Sequence, residues 1–174
     1  METKTVFRFF GLWEDEKEEA WLGAMARQGW HLKKIGFINR YVFEGGPPRD
    51  VAYGLDFKPG RSDKQNYLQL FADAGWEHVL EYGSWQYFRK ETAGEDLSIF
   101  TDNDSKTKKY QRLLAICVVF LMIWWQPSIK GLEVVLKYGW LVMLVFVLRL
   151  ALFIMLLYTV IMLMRRIFQL RKKI

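Results

Sequence analysis

Two long apolar runs in the last third of the chain, Leu113 to Ile129 and Tyr138 to Met164, restrict its fold more than any other feature. They hold 17 and 27 residues, and a helix rising ~1.5 Å per residue needs roughly 17–25 to cross the ~30 Å hydrocarbon layer. This pattern predicts a two-helix transmembrane hairpin with a basic tail over residues 112–174. Ahead of it lies enough chain for one compact soluble domain.

The net charge of +6 would suit nucleic acid or anionic lipid, so its position decides the reading. Residues 1–91 carry 13 Lys and Arg against 14 Asp and Glu, whereas residues 92–174 carry 12 against 5. Basicity therefore flanks the apolar runs, in Lys106, Lys108, Lys109 and Arg112 before the first and in Arg165, Arg166, Arg171, Lys172 and Lys173 after the second. A nucleic-acid-binding head loses its electrostatic support. Short basic flanks stay cytoplasmic, which places both ends of the hairpin there. Residues 1–10 contain no signal-peptide core, so the head is expected in the cytoplasm. Cys117, the single cysteine, lies inside the first run and reads as a small apolar filler.

The head, residues 1–91, repeats. A shift of 46 superposes Trp21-Leu22 on Tyr67-Leu68, Met25-Ala26 on Phe71-Ala72, Gly29-Trp30 on Gly75-Trp76 and Tyr41-Val42 on Tyr87-Phe88. Applied unchanged, it also sets Phe7 and Phe9 on Tyr53 and Leu55. Each copy reads as strand, helix, strand, strand, which predicts a pseudo-twofold α+β domain with an antiparallel sheet and two helices. Strands are expected at 6–10 and 52–57, and strand pairs over 30–44 and 76–90, the second turned at Gly83-Ser84. Asp15 with Glu18, and Ser62 with Gln65, have capping-box spacing at the helix starts. Gly29 and Gly75 close the helices in a left-handed conformation, each followed by an apolar Trp. Gly45-Gly46-Pro47-Pro48 is a loop between the copies, and residues 92–111 form a polar linker with a basic juxtamembrane end.

Glu18-Glu19-Ala20-Trp21-Leu22, Met25-Ala26-Arg27-Gln28-Gly29-Trp30, Tyr41-Val42-Phe43-Glu44, Asp56, Tyr67 and Asp73-Ala74-Gly75-Trp76-Glu77 together resemble a bacterial domain-of-unknown-function family, number 2812. The resemblance covers roughly Phe7 to Arg89. It implies C-terminal membrane helices in a bacterial cell membrane and genes beside PadR-like transcription regulators, and it brings no catalytic residue. The doubled order of elements is also similar in topology to gyrase-inhibitor-like effector-binding domains, whose two copies frame a cleft for aromatic or cationic ligands. The glutamate of such clefts has no secure counterpart in this sequence.

Residue patterns carry little chemistry. His31 and His78 stand at non-equivalent positions of the repeat and form no metal-ligand motif. The run Glu14, Asp15, Glu16, Glu18, Glu19 reads as a solvated helix start, because consecutive helical positions point in different directions. Ser62, Ser84 and Ser98 lack a nucleophile setting, and no glycine-rich phosphate loop is present. No catalytic, cofactor-binding or metal-binding residue is expected. What remains is an aromatic surface on a sheet face left open by the helices, with Trp13, Trp30, Tyr41, Trp76, Trp85 and Tyr87 as the candidate ligand or partner face. Arg149 sits near the middle of the second run, where a charge costs about 2.5–3.5 kcal/mol on insertion scales. It is the candidate intramembrane contact.

The architecture leads to an expected function: a membrane-anchored, non-enzymatic binding or regulatory module. It would sense a small apolar or cationic ligand, or dock a partner such as a transcription regulator. The alternative is an accessory or assembly subunit of a membrane transporter. Self-association stays open.

Overall fold

The computed structural model describes residues 2–60, 63–92, 99, 103–124 and 140–172. The chain divides into two compact units, Met1–Ser105 and Lys106–Ile174.

In the first unit the order is β1 (Thr3–Phe7), α1 (Asp15–Arg27), β2 (Trp30–Gly36), β3 (Arg40–Gly45), β4 (Val51–Phe57), α2 (Lys64–Asp73), β5 (Glu77–Tyr82) and β6 (Trp85–Glu91). The predicted strand, helix, strand, strand order occurs twice. The strands form two antiparallel three-stranded sheets, ordered β1-β3-β2 and β4-β6-β5. A single sheet with one open face is therefore corrected. Side chains alternate along β4 and β6, so Val51, Tyr53, Leu55 and Tyr87 join a core with Leu22, Met25 and Ala26 of α1 and Leu32, Ile35, Tyr41 and Phe43 of the first sheet. The opposite face of the second sheet holds Phe88 against Phe71 of α2 and Trp76. Helix α1 thus serves both sheets. It approaches β4 so closely at Gly23 that an added Cβ would lie 3.2 Å from the Val51 carbonyl oxygen.

The repeat is real but its spacing drifts. Register breaks fall between Leu32 and Lys34 in β2 and between His78 and Leu80 in β5, which keeps the shift of 46 through these strands. Leu32 faces Phe43 and His78 faces Phe88, so Phe88 is the counterpart of Phe43, 45 residues on. Tyr87 therefore points to the face opposite α2 and is not the equivalent of Tyr41. Likewise Phe7 lies opposite Arg40 and Phe57 opposite Trp85, which moves β1 onto β4 by 50 residues instead of 46.

Both helix stops form as expected, with φ of 83° at Gly29 and 80° at Gly75. At the second, the Gly75 N–H donates to the Ala72 carbonyl and the Trp76 N–H to the Phe71 carbonyl, each at 2.9 Å, the double bond of a Schellman stop. The helix starts differ from the capping boxes. Glu14 precedes α1 and Asp63, at φ 61°, precedes α2, neither making a side-chain cap bond; Ser62 lies outside the described residues.

The second unit holds α3 (Asn103–Trp124) from Lys106 onward and α4 (Trp140–Arg171). Helix α3 begins inside the expected linker, so its basic residues lie on a helix. Among the described residues one helix is long and apolar enough to cross a membrane, over Met143–Arg171. The second such helix expected for a hairpin is not found among the described residues. Ten residues of α3, from Asn103 to Arg112, are mostly polar, and residues 125–139 lie outside the described set.

Candidate functional site

The acidic run at the start of α1 divides its members among different tasks. Glu14 turns back, accepting the Gly11 N–H at 3.0 Å and pairing with Lys17 at 2.6 Å, and both contacts hold its carboxyl below the usual range. Glu19 accepts the Leu55 N–H at 2.7 Å and so ties α1 to β4. Asp15 and Glu18, three apart and thus on one helix face, point inward with only 2 % and 7 % of their surface exposed. A wholly solvated helix start is corrected for these two residues.

Glu18 is the centre of the arrangement. The hydroxyls of Tyr41 and Tyr87 each donate to its Oε1 at 2.7 Å, one from the first sheet and one from the second. Neither tyrosine uses Oε2. Burial pushes the Glu18 carboxyl above its ordinary value; the two phenol bonds oppose this, and the neighbouring Asp15 charge adds to it. Burial and the Glu18 charge push both phenols up as well. Around this group lies a cavity of about 140 Å³, lined by Phe10, Gly11, Leu12, Asp15, Glu18, Asn39, Tyr41, Tyr82, Trp85 and Tyr87. Its lining includes two carboxylates, five aromatic side chains, the aliphatic Leu12, and no Lys, Arg or His. The aromatic wall continues inward, with Trp21 edge-on to Tyr41 at 4.9 Å between ring centres.

Of the six candidate aromatics, the fold gathers Tyr41, Trp85 and Tyr87 in this cavity and sends the others elsewhere. Trp76 packs with Phe71 and Phe88, Trp30 lies under the Lys4 ammonium at 5.2 Å, and Trp13 packs over Gly11, where an added Cβ would meet its ring at 2.7 Å. The sequence reading missed Asp15, Glu18 and Tyr82. The signal for Glu18 was faint, a carboxylate one turn before Trp21-Leu22 on the face those residues bury.

His31 and His78, far apart in sequence, line one polar cavity of about 250 Å³ with Lys33, Glu44, Glu77 and Arg89. Its charges are already matched, Lys33 with Glu44 at 3.1 Å and Arg89 with Glu77 at 2.7 Å. The His31 Nε2 meets the Pro47 carbonyl and the His78 Nε2 the Gln86 Oε1, both at 2.9 Å. Among the described residues no three His, Cys, Asp or Glu are placed to hold a metal ion. In the second unit, Arg149 with Val145, Leu148 and Leu152 of α4 and Ile123 of α3 lines an apolar concavity of about 460 Å³.

Residues 14–122 match the family described as "Protein of unknown function (DUF2812)". The chain belongs to this family. The matched region starts after β1 and runs into α3, so the family pattern includes α1 with its buried carboxylates and extends well beyond Arg89, where the resemblance of the motifs ends. No curated protein and no solved structure matches the chain.

Proposed function

We propose that this DUF2812 protein is a membrane-anchored, non-enzymatic sensor whose head binds a small organic cation at Glu18. One observation carries the reading: a carboxylate buried between two tyrosine hydroxyls faces an aromatic cavity whose lining contains a second carboxylate and no basic group. Such a wall favours a cation with an apolar body, through charge and through the negative faces of the rings. With a water's share of liquid at ~30 Å³, the volume suits a ligand of only a few heavy atoms. The resemblance of the doubled element order to effector-binding domains supports the same reading, with Glu18 as our proposed counterpart of their cleft glutamate. The anchored head would pass the bound state to a partner, for which a PadR-like regulator is the kind of protein the family resemblance suggests. A transporter-subunit role is the second reading, supported by the concavity that holds Arg149.

Choline and its uncharged isostere 3,3-dimethylbutanol test the site. Tryptophan fluorescence of the full chain in detergent should respond to choline and much less to the alcohol, the response should shrink in Trp85→Phe, and Glu18→Gln should weaken choline binding about tenfold or more. Equal response to both compounds would leave an apolar site and remove the cationic reading.

For the anchor, two crossings with both basic flanks in the cytoplasm are our proposed topology. Single cysteines at Ser98 and at Lys172, in a Cys117→Ala background, should both resist impermeant reagent in whole bacterial cells. One labelled and one protected would mean a single crossing.

A further inference from the structure

The first sheet ends in an apolar tip exposed to solvent. Phe7 and Phe9 are 66 % and 69 % exposed at the end of β1, and Phe37 and Ile38 are 85 % and 54 % exposed in the β2–β3 turn. Phe7 lies opposite Arg40, and the Arg8 N–H donates to the Asn39 carbonyl at 3.3 Å, so the four side chains share one end of the sheet. The turn has Ile38 at φ 59° and Asn39 at φ 50°, a left-handed pair that Asn and Gly adopt readily and a β-branched residue does not. Packing inside the head does not require an isoleucine there, because Ile38 is exposed. Arg8 and Arg40 flank the tip, both exposed; neither belongs to an ion pair among the described residues, and the Arg8 guanidinium lies over the Phe10 and Trp21 rings at 5.1 and 5.0 Å, which an anionic headgroup would share or displace.

We propose that this tip docks on the surface of the bilayer that α4 enters, with Phe7, Phe9, Phe37 and Ile38 at the boundary of headgroups and acyl chains and the two arginines on anionic headgroups. The inference rests on the membrane anchorage proposed above. An anchor holds the head beside the bilayer at high effective concentration, so a contact too weak to recruit a free protein suffices. The charge also selects lipid over a second copy, since a twofold contact would set the same arginine-flanked patch against itself. Asn39, next to Ile38, lines the Glu18 cavity. Docking therefore brings that cavity to the layer in which organic cations with apolar bodies collect.

Nitroxide labels on the full chain, reconstituted in phosphatidylcholine vesicles with or without phosphatidylglycerol, test this in a Cys117→Ala background. Phe37→Cys is the test site, Leu148→Cys on α4 reports the anchor, and exposed Gln65→Cys on α2 is the aqueous reference. The label at 37 should collide with oxygen several-fold more, relative to a water-soluble nickel chelate, than the label at 65. Phosphatidylglycerol should increase the difference, and Arg8→Gln with Arg40→Gln should reduce it. A label at 37 that behaves like the one at 65 while 148 is embedded overturns the docking and leaves the anchor standing. Aqueous behaviour at 37 and 148 alike overturns both, and spin–spin broadening confined to 37 assigns the tip to a second copy and overturns the lipid reading.

Discussion

Helices α1 and α2 occupy matching places in the two copies, yet α1 buries Asp15, Glu18, Leu22, Gly23, Met25 and Ala26, whereas Phe71 is the one buried residue of α2. The position matching Glu18 is Lys64, which is exposed and pairs with Glu81. The difference follows from packing. Helix α1 touches both sheets and so has a second wall, Tyr87, Leu55 and Tyr53, that α2 lacks. A duplication has produced two alike scaffolds and one site, because a carboxylate can be held away from water only where a second layer supplies its hydrogen bonds.

Matched substitutions in the two copies should separate the helices. Leu22 is fully buried and its counterpart Leu68 only partly so. Leu22→Ala should cost about 2–5 kcal/mol and Leu68→Ala about 1 kcal/mol, read as denaturation midpoints followed by near-ultraviolet circular dichroism. Equal losses would break the claim that α1 alone is held from both sides.

The two helix stops should differ as well. Alanine at either glycine meets a left-handed φ, but at Gly29 its Cβ would also lie 2.6 Å from the Gly46 carbonyl oxygen, against 3.3 Å from a flexible Lys90 methylene at Gly75. Gly29→Ala should cost about 2 kcal/mol or more and Gly75→Ala about 1 kcal/mol in the same melts. Matching midpoints would restore full equivalence of the stops.

A third comparison uses pH. Glu18 has a folded value raised above its ordinary 4.5, so its contribution is complete below pH 4.5 and is lost as pH rises through the raised value. Melting points of the parent should fall relative to Glu18→Gln between pH 4 and pH 7. A constant gap would show that Glu18 is not held in a water-poor setting. Lys64→Gln, at the matching position, should shift stability by less than about 0.5 kcal/mol.

Local chemistry made much of the head readable. Apolar spacing placed Trp21, Leu22 and Met25 on one helix face, and Gly29 and Gly75 marked the stops, because both signals depend on residues within one or two turns. The sheet arrangement did not follow from such signals. A one-residue difference between the β2–β3 and β5–β6 pairs turns Tyr87 away from α2, and side-chain period two makes that slip decisive. Glu18 was hidden for the same reason: its partners lie 23 and 69 residues away, and a carboxylate in a first helical turn looks solvated until both partners are in place. The apolar end was legible in α4, where 29 residues suffice, and less so in α3, which carries a polar segment into its first turns.

The long reach from Glu18 to Tyr87 also sets a schedule. During synthesis the carboxylate cannot meet its second phenol until β6 has emerged, and the stretch of α4 apolar enough to cross a membrane begins 56 residues after Tyr87, at Met143. At ~5–20 residues per second that interval is roughly 3–11 s, long compared with the microseconds in which helices and hairpins form. A nascent head has time to close around its carboxylate before α4 is made.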